Sequence, residues 1–217
     1  MKLGNFVKAT STATILGLAS VAAMATPIEL DIDFRNGAEW GGMGSGSYTS
    51  GSVSVTANGD LLYRDNIDGY GILGGEQDEI DREEILSVLF DAAFYDNPDN
   101  WLTGVLLTDL FPANDGGNAG ESGWVRLYDG AGDLIQWFFV NATNYHPNGE
   151  YYLDFGGSFN PAYVDFEAYV GQAGRYTGSE YSVAGFKTVS VPEPGTLALL
   201  GAGLLLLAGS RRRKLPL

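Results

Sequence analysis

The sequence predicts an all-β protein: a single antiparallel β-sandwich, jelly-roll-like, set between two short terminal segments. Three observations lead there. Apolar and polar residues alternate with period two over short runs, which turns one side of each run toward a core. Stretches rich in Gly, Asn and Asp separate the runs, and 31 glycines among 217 residues spread such breaks along the whole chain. No central stretch reads as a helix of normal length, and no internal repeat of fixed period is present. Two packed sheets account for roughly nine or ten short strands at this spacing.

In chain order, residues 28–34 alternate strictly, with Ile28, Leu30, Ile32 and Phe34 against Glu29, Asp31 and Asp33. The apolar set is expected on the core side of a strand. Residues 35–50 are rich in Gly and Ser, with Trp40, Met43 and Tyr48 interspersed, and read as a long surface loop. Strand pattern resumes over 48–57. Asn58-Gly59 is a hairpin signal, with Leu61, Leu62 and Tyr63 beginning the return strand.

Residues 70–111 carry the densest pattern. The Gly-rich run GYGILGG leads into Glu76, Asp78, Glu79, Asp81, Glu83 and Glu84. An apolar strand over 84–90 follows, then a turn-rich connector and a second strand ending Thr108-Asp109-Leu110-Phe111. A helix over 78–89 competes, since Ile80, Ile85, Leu86 and Leu89 would share a face, but strand is preferred for 84–90. Residues 114–123 form another loop. A hairpin over 124–128 and 134–140 then turns at Asp129-Gly130-Ala131-Gly132-Asp133. Strands over 150–155, 163–170 and 185–191 complete the set.

The two ends of the chain read as targeting segments. Lys2 and Lys8 precede a small-apolar run at 13–22, and Ala23-Met24-Ala25 forms an A-x-A cleavage site before Thr26. Residues 1–25 are thus a Sec-type signal peptide, a substrate for the Sec translocon and signal peptidase. At the other end Val191, Pro192, Glu193, Pro194 and Gly195 make an extended, accessible segment, because each proline fixes its own φ and restricts its predecessor. The uncharged run 196–209 would be roughly 21 Å long as a helix, against about 30 Å for a bilayer core. Arg211, Arg212, Arg213 and Lys214 close it and are held on the cytoplasmic side by the positive-inside rule.

This order of Pro-Glu-Pro, short apolar transmembrane helix and basic cluster over 191–217 resembles the PEP-CTERM protein-sorting signal. The resemblance implies recognition by an exosortase, transient anchoring in the inner membrane, removal of the tail, and delivery to the cell surface or extracellular matrix of a Gram-negative bacterium. The central pattern of Gly-Gly, Asp-Glu-Ile-Asp, apolar strand and Thr-Asp-Leu-Phe also looks like one that recurs in exported domains with such tails. That second resemblance implies a β-sandwich surface domain without implying catalysis.

Residues 26–190 remain, about 165 residues, enough for one domain with a sizeable core. Six of its residues are Lys or Arg and 26 are Asp or Glu, a net charge of about −20. Such a field repels nucleic acid and anionic lipid and suits divalent cations. Cysteine is absent, so neither a disulfide framework nor a thiolate zinc site is available.

Candidate chemistry is sparse. Asp78, Glu79 and Asp81, after Gly74-Gly75, are the candidate oxygen ligands for calcium, although no EF-hand or Asp-Gly repeat is present. Asp129 and Asp133 bracket a Gly-Ala-Gly turn and are turn-formers first; Asp115 and Glu121 stand in a similar loop. His146, the single histidine, precedes Pro147 and has no serine nucleophile motif or further zinc ligands to work with. With 26 acids some carboxylate pair at glycosidase spacing is always available, so that signal discriminates nothing. Trp40 and Trp137 are the candidate sugar-stacking aromatics, because Trp137, Phe138 and Phe139 are consecutive on one strand and cannot all face one core. The expected function is a non-enzymatic surface or matrix structural protein associated with exopolysaccharide or biofilm. A carbohydrate-binding module and a secreted polysaccharide hydrolase are the alternatives.

Overall fold

The computed structural model describes residues 28–74, 79–81, 83–97, 100–112, 120–142, 149–169, 180–189 and 204. Ala23, Ala25, Thr26, the segment 191–217 apart from Leu204, Asp78, Asp115 and His146 lie outside the described residues. Among the described residues no helix is long and apolar enough to cross a membrane.

Twelve strands form two antiparallel sheets: β1 (Ile32–Asp33), β2 (Ser47–Ser50), β3 (Val53–Ala57), β4 (Leu61–Arg64), β5 (Tyr70–Leu73), β6 (Ile85–Phe90), β7 (Trp101–Thr108), β8 (Ser122–Tyr128), β9 (Leu134–Asn141), β10 (Tyr151–Phe159), β11 (Tyr163–Ala168) and β12 (Ser182–Val189). The first sheet runs β10-β7-β12-β5-β4, with β1 laid along β12, and the second runs β2-β3-β6-β11-β8-β9. Each contributes alternate residues to one shared core. Leu62, Ile72, Leu107 and Phe186 come from the first sheet; Val55, Leu86, Val125 and Phe166 come from the second, all without solvent exposure. Ring contacts cross between the layers, with centroids 6.0 Å apart for Phe166 and Phe186 and 4.9 Å for Phe138 and Phe155. These cross-layer contacts make the two sheets a sandwich.

Several elements differ from expectation for identifiable reasons. The strand expected over 48–57 is a hairpin, β2 and β3, because Gly51 at φ +54° starts a two-residue turn between Ser50 and Val53. Asn58-Gly59 is in turn not a hairpin: β3 belongs to the second sheet and β4 to the first, so the chain changes layer there. Alternating Val53, Val55 and Ala57 are claimed by the second-sheet core beside β6. Leu62 instead exchanges backbone bonds with the loop before it, donating to Ser45 O (2.7 Å) and accepting from Gly44 N (2.8 Å).

The run 70–73, read as a Gly-rich lead-in, is β5. The strand expected over 28–34 narrows to β1, although Asp31 N and Phe34 N still donate to Phe186 O and Ala184 O on β12. Residues 85–90 are strand, as preferred over helix. Helix α1 (Ala92–Tyr95) is a single turn capped by Asp91, whose Oδ1 accepts from Phe94 N at 3.0 Å. With six strands a side and three local hairpins, β2–β3, β4–β5 and β8–β9, the layout departs from an eight-stranded jelly roll of two Greek keys.

Candidate functional site

The outer face of the second sheet is where polar and aromatic chemistry gathers, and the alternation of three strands puts it there. In β8, Val125 and Leu127 point into the core, which turns Trp124, Arg126 and Tyr128 outward. In β11, inward Val164, Phe166 and Ala168 leave Tyr163, Asp165 and Glu167 outside. In β9, Phe138 packs on Phe155 and Val140 is buried, so Trp137 and Phe139 face out at 52% and 41% exposure.

Register then assembles rows across the strands. Phe139, Trp124 and Glu167 stand in one row; Trp137, Arg126, Asp165, Ser87 and Thr56 in the next. The rings touch as a group, with Trp124 centred 5.2 Å from Trp137 and 4.8 Å from Phe139, and Phe139 lying 5.2 Å from Tyr169. Arg126 lies over the Trp124 ring at 5.6 Å and is ion-paired with Glu167, so the platform is bordered by a held charge pair. Further along, Tyr128 and Tyr163 stack at 4.7 Å.

Beside the aromatic platform lies an open groove of about 380 Å³, lined in part by Thr56, Asn58, Ser87, Leu89, Tyr163 and Asp165. Ser87 Oγ donates to Asp165 Oδ1 at 2.6 Å. Burial pushes the Asp165 carboxyl above the usual range, against the Ser87 hydrogen bond and the charge of Arg126, which pull it down.

Trp40 is corrected by the structure. It is 4% exposed and sits edge-on to Phe34 at 4.7 Å, so it is a core residue and no sugar platform. The Gly-rich stretch around it folds back onto the sandwich: Tyr70 Oη donates to Gly41 O at 2.6 Å, and Gly42, at φ +88°, lies where a Cβ would meet Tyr48 Cβ at 2.5 Å. Asp129 and Asp133 serve their own turn, with Ala131 N and Asp133 N both donating to Asp129 Oδ1 at 2.9 Å.

The acidic stretch lands against the protein. Glu79 O accepts from Ile72 N at 3.0 Å, Ile80 is buried and donates to Tyr181 O, and Asp81 N donates to Glu84 Oε2 at 2.7 Å. The Glu79 carboxyl is pushed up to about 9 by burial first and then by Glu180, Asp109 and Glu121 around it. Sequence reading missed this meeting of four acids, because they are distant in the chain and carry no spacing motif. Among the described residues no group of three or more acids is placed to hold a metal ion.

No curated protein and no solved structure matches the chain. Residues 190–214 match the family described as the PEP-CTERM protein-sorting motif.

Proposed function

We propose that this chain, an exosortase-sorted exported protein by virtue of its PEP-CTERM motif, is a non-enzymatic surface or matrix protein that holds polysaccharide on the outer face of its second sheet. The observation that supports this reading is the half-exposed Trp137, set among Trp124, Phe139 and Tyr169 beside a hydroxyl- and carboxylate-lined groove. A flat ring with polar groups around it suits the apolar face of a pyranose, and the groove supplies acceptors and donors for ring hydroxyls. Charge narrows the glycan class. A domain of about −20 repels uronate and other anionic polymers, so neutral or amino-sugar chains are the expected ligands.

Export, tail removal and residence in an exopolysaccharide matrix fit together on this reading. The test is retention of the purified full chain on insoluble envelope polysaccharide. Trp137→Ala is expected to lower retention at least tenfold with the melting temperature nearly unchanged. Equal retention of the variant and the wild type rejects the reading.

A hydrolase rival rests on one feature: Asp165 and Glu167 share a face of β11, one carboxyl raised and one ion-paired. Glycan turnover abolished by Asp165→Asn would replace the binding reading with that one.

A further inference from the structure

The second sheet ends on β9, and among the described strands this edge is unlike those at β2, β4 and β10. At the far side of the same sheet, β2 is four polar residues, Ser47–Ser50. In the first sheet β4 is equally short, and the pairing register of β10 shifts between Asp154 and Phe159. Short, polar or bulged edges are how sheet proteins prevent strand addition. By contrast β9 reads LIQWFFVN: eight residues, no charge, no proline and no glycine. Leu134, Ile135, Trp137 and Phe139 on it are all exposed, and among the described residues no strand pairs with its outer side. A β-prone, uncharged segment of this length on an edge is a template for another strand.

We propose that β9 pairs antiparallel with β9 of a second copy across a twofold axis, joining two six-stranded sheets into one continuous sheet. Self-complementarity favours this occupant. An isologous contact needs one patch that fits itself, and an apolar, uncharged strand does so in a domain whose net charge is about −20. Two copies of about −20 repel one another, and a β9 ladder lets them meet along an apolar edge without burying like charges. The irregularity next to Leu134 leaves Gln136 to Asn141 as the regular ladder. Keeping the outer faces on one side requires odd positions to oppose odd positions, because a one-residue slip would turn Trp137 and Phe139 inward. The aromatic platforms of the two copies then become one surface, which gives a polymeric ligand two attachment points on one particle.

This inference does not rest on glycan binding and is tested without glycan. Sedimentation velocity of the full chain in non-ionic detergent should give a dimer that tightens as salt screens the mutual repulsion. Phe139→Lys, a charge at the centre of the edge, should weaken the dimer at least tenfold. Thr49→Lys on the opposite edge should leave it intact. Amide hydrogen exchange of the wild type guards against a variant that misfolds: residues 136–141 should slow at least tenfold on concentration through the transition, and residues 47–50 should not. A wild-type monomer at every concentration overturns the proposal. So does a dimer whose protected amides lie outside β9.

Discussion

Two tryptophans in this chain meet opposite fates, and the contrast between their surroundings explains why. Trp137 lies on a regular strand, and the inward direction of Phe138 and Val140 decides that it faces out. Trp40 lies in an irregular Gly-rich stretch with no alternation to direct it, so the decision falls to what the stretch lands on. Phe34 and Tyr70 offer it an aromatic niche, and it is buried there. In a regular strand, orientation is a local property; in a glycine-rich segment it is a tertiary one.

The largest expected effect breaks that contrast at its buried end. Trp40→Ala removes a ring in contact with Phe34, Tyr48 and Tyr70 and should cost about 3–5 kcal/mol. Thermal unfolding should show a fall in melting temperature of the order of 10 °C. Trp137→Ala, half-exposed, should stay within about 1 kcal/mol. Similar losses in both variants would mean that the hairpin tryptophan is equally structural, which would undercut its assignment to ligand contact.

A smaller effect separates the glycines of the same two regions. Gly42 at φ +88° has Tyr48 Cβ 2.5 Å from the position of an added Cβ, so Gly42→Ala combines backbone strain with a clash and should cost about 1–3 kcal/mol. Gly130, in the turn between β8 and β9, has open space there and no left-handed φ. Gly130→Ala should be neutral or stabilise by up to about 1 kcal/mol by restricting the unfolded chain. Denaturant midpoints of the two variants measure both.

The same distinction governs what was legible in the sequence. The β8–β9 hairpin could be read whole, including the turn role of Asp129 and the split among Trp137, Phe138 and Phe139, since period-two alternation and turn residues are local signals. Strands β6, β7 and β11 were legible for the same reason. The sorting motif was legible because its signal is linear. Sheet membership was not. Asn58-Gly59 has the composition of a hairpin turn, yet whether β4 returns beside β3 depends on β6 and β5 competing for their edges. The outer-face platform needed the register of β8, β9 and β11, which alternation alone does not provide.

The last expectation tests the irregular class again, through a carboxylate. Glu79 stands in the sequence as a candidate calcium ligand within an acidic run, and in the fold burial and then Glu180, Asp109 and Glu121 raise its carboxyl from 4.5 to about 9. The folded state therefore binds a proton that the unfolded chain releases near pH 4.5. By linkage, the stability this proton contributes is complete below about pH 4.5 and is lost as the pH rises toward about 9. Burial raises Glu84 and Asp165 as well and adds slope of the same sign, whereas Asp33, held low by Arg35 against its burial, acts only in the acid range. General repulsion among surface acids also grows with pH, but salt screens it and no single residue controls it. Melting temperature measured between pH 5 and 8 at constant ionic strength, with chelator present, should therefore fall in the wild type. Glu79→Gln keeps the shape of the protonated acid and removes its titration, so the fall should be visibly shallower. Identical slopes in the two proteins would mean that the Glu79 carboxyl does not hold its proton in the folded state, and the contrast between strand and irregular stretch would then rest on Trp40.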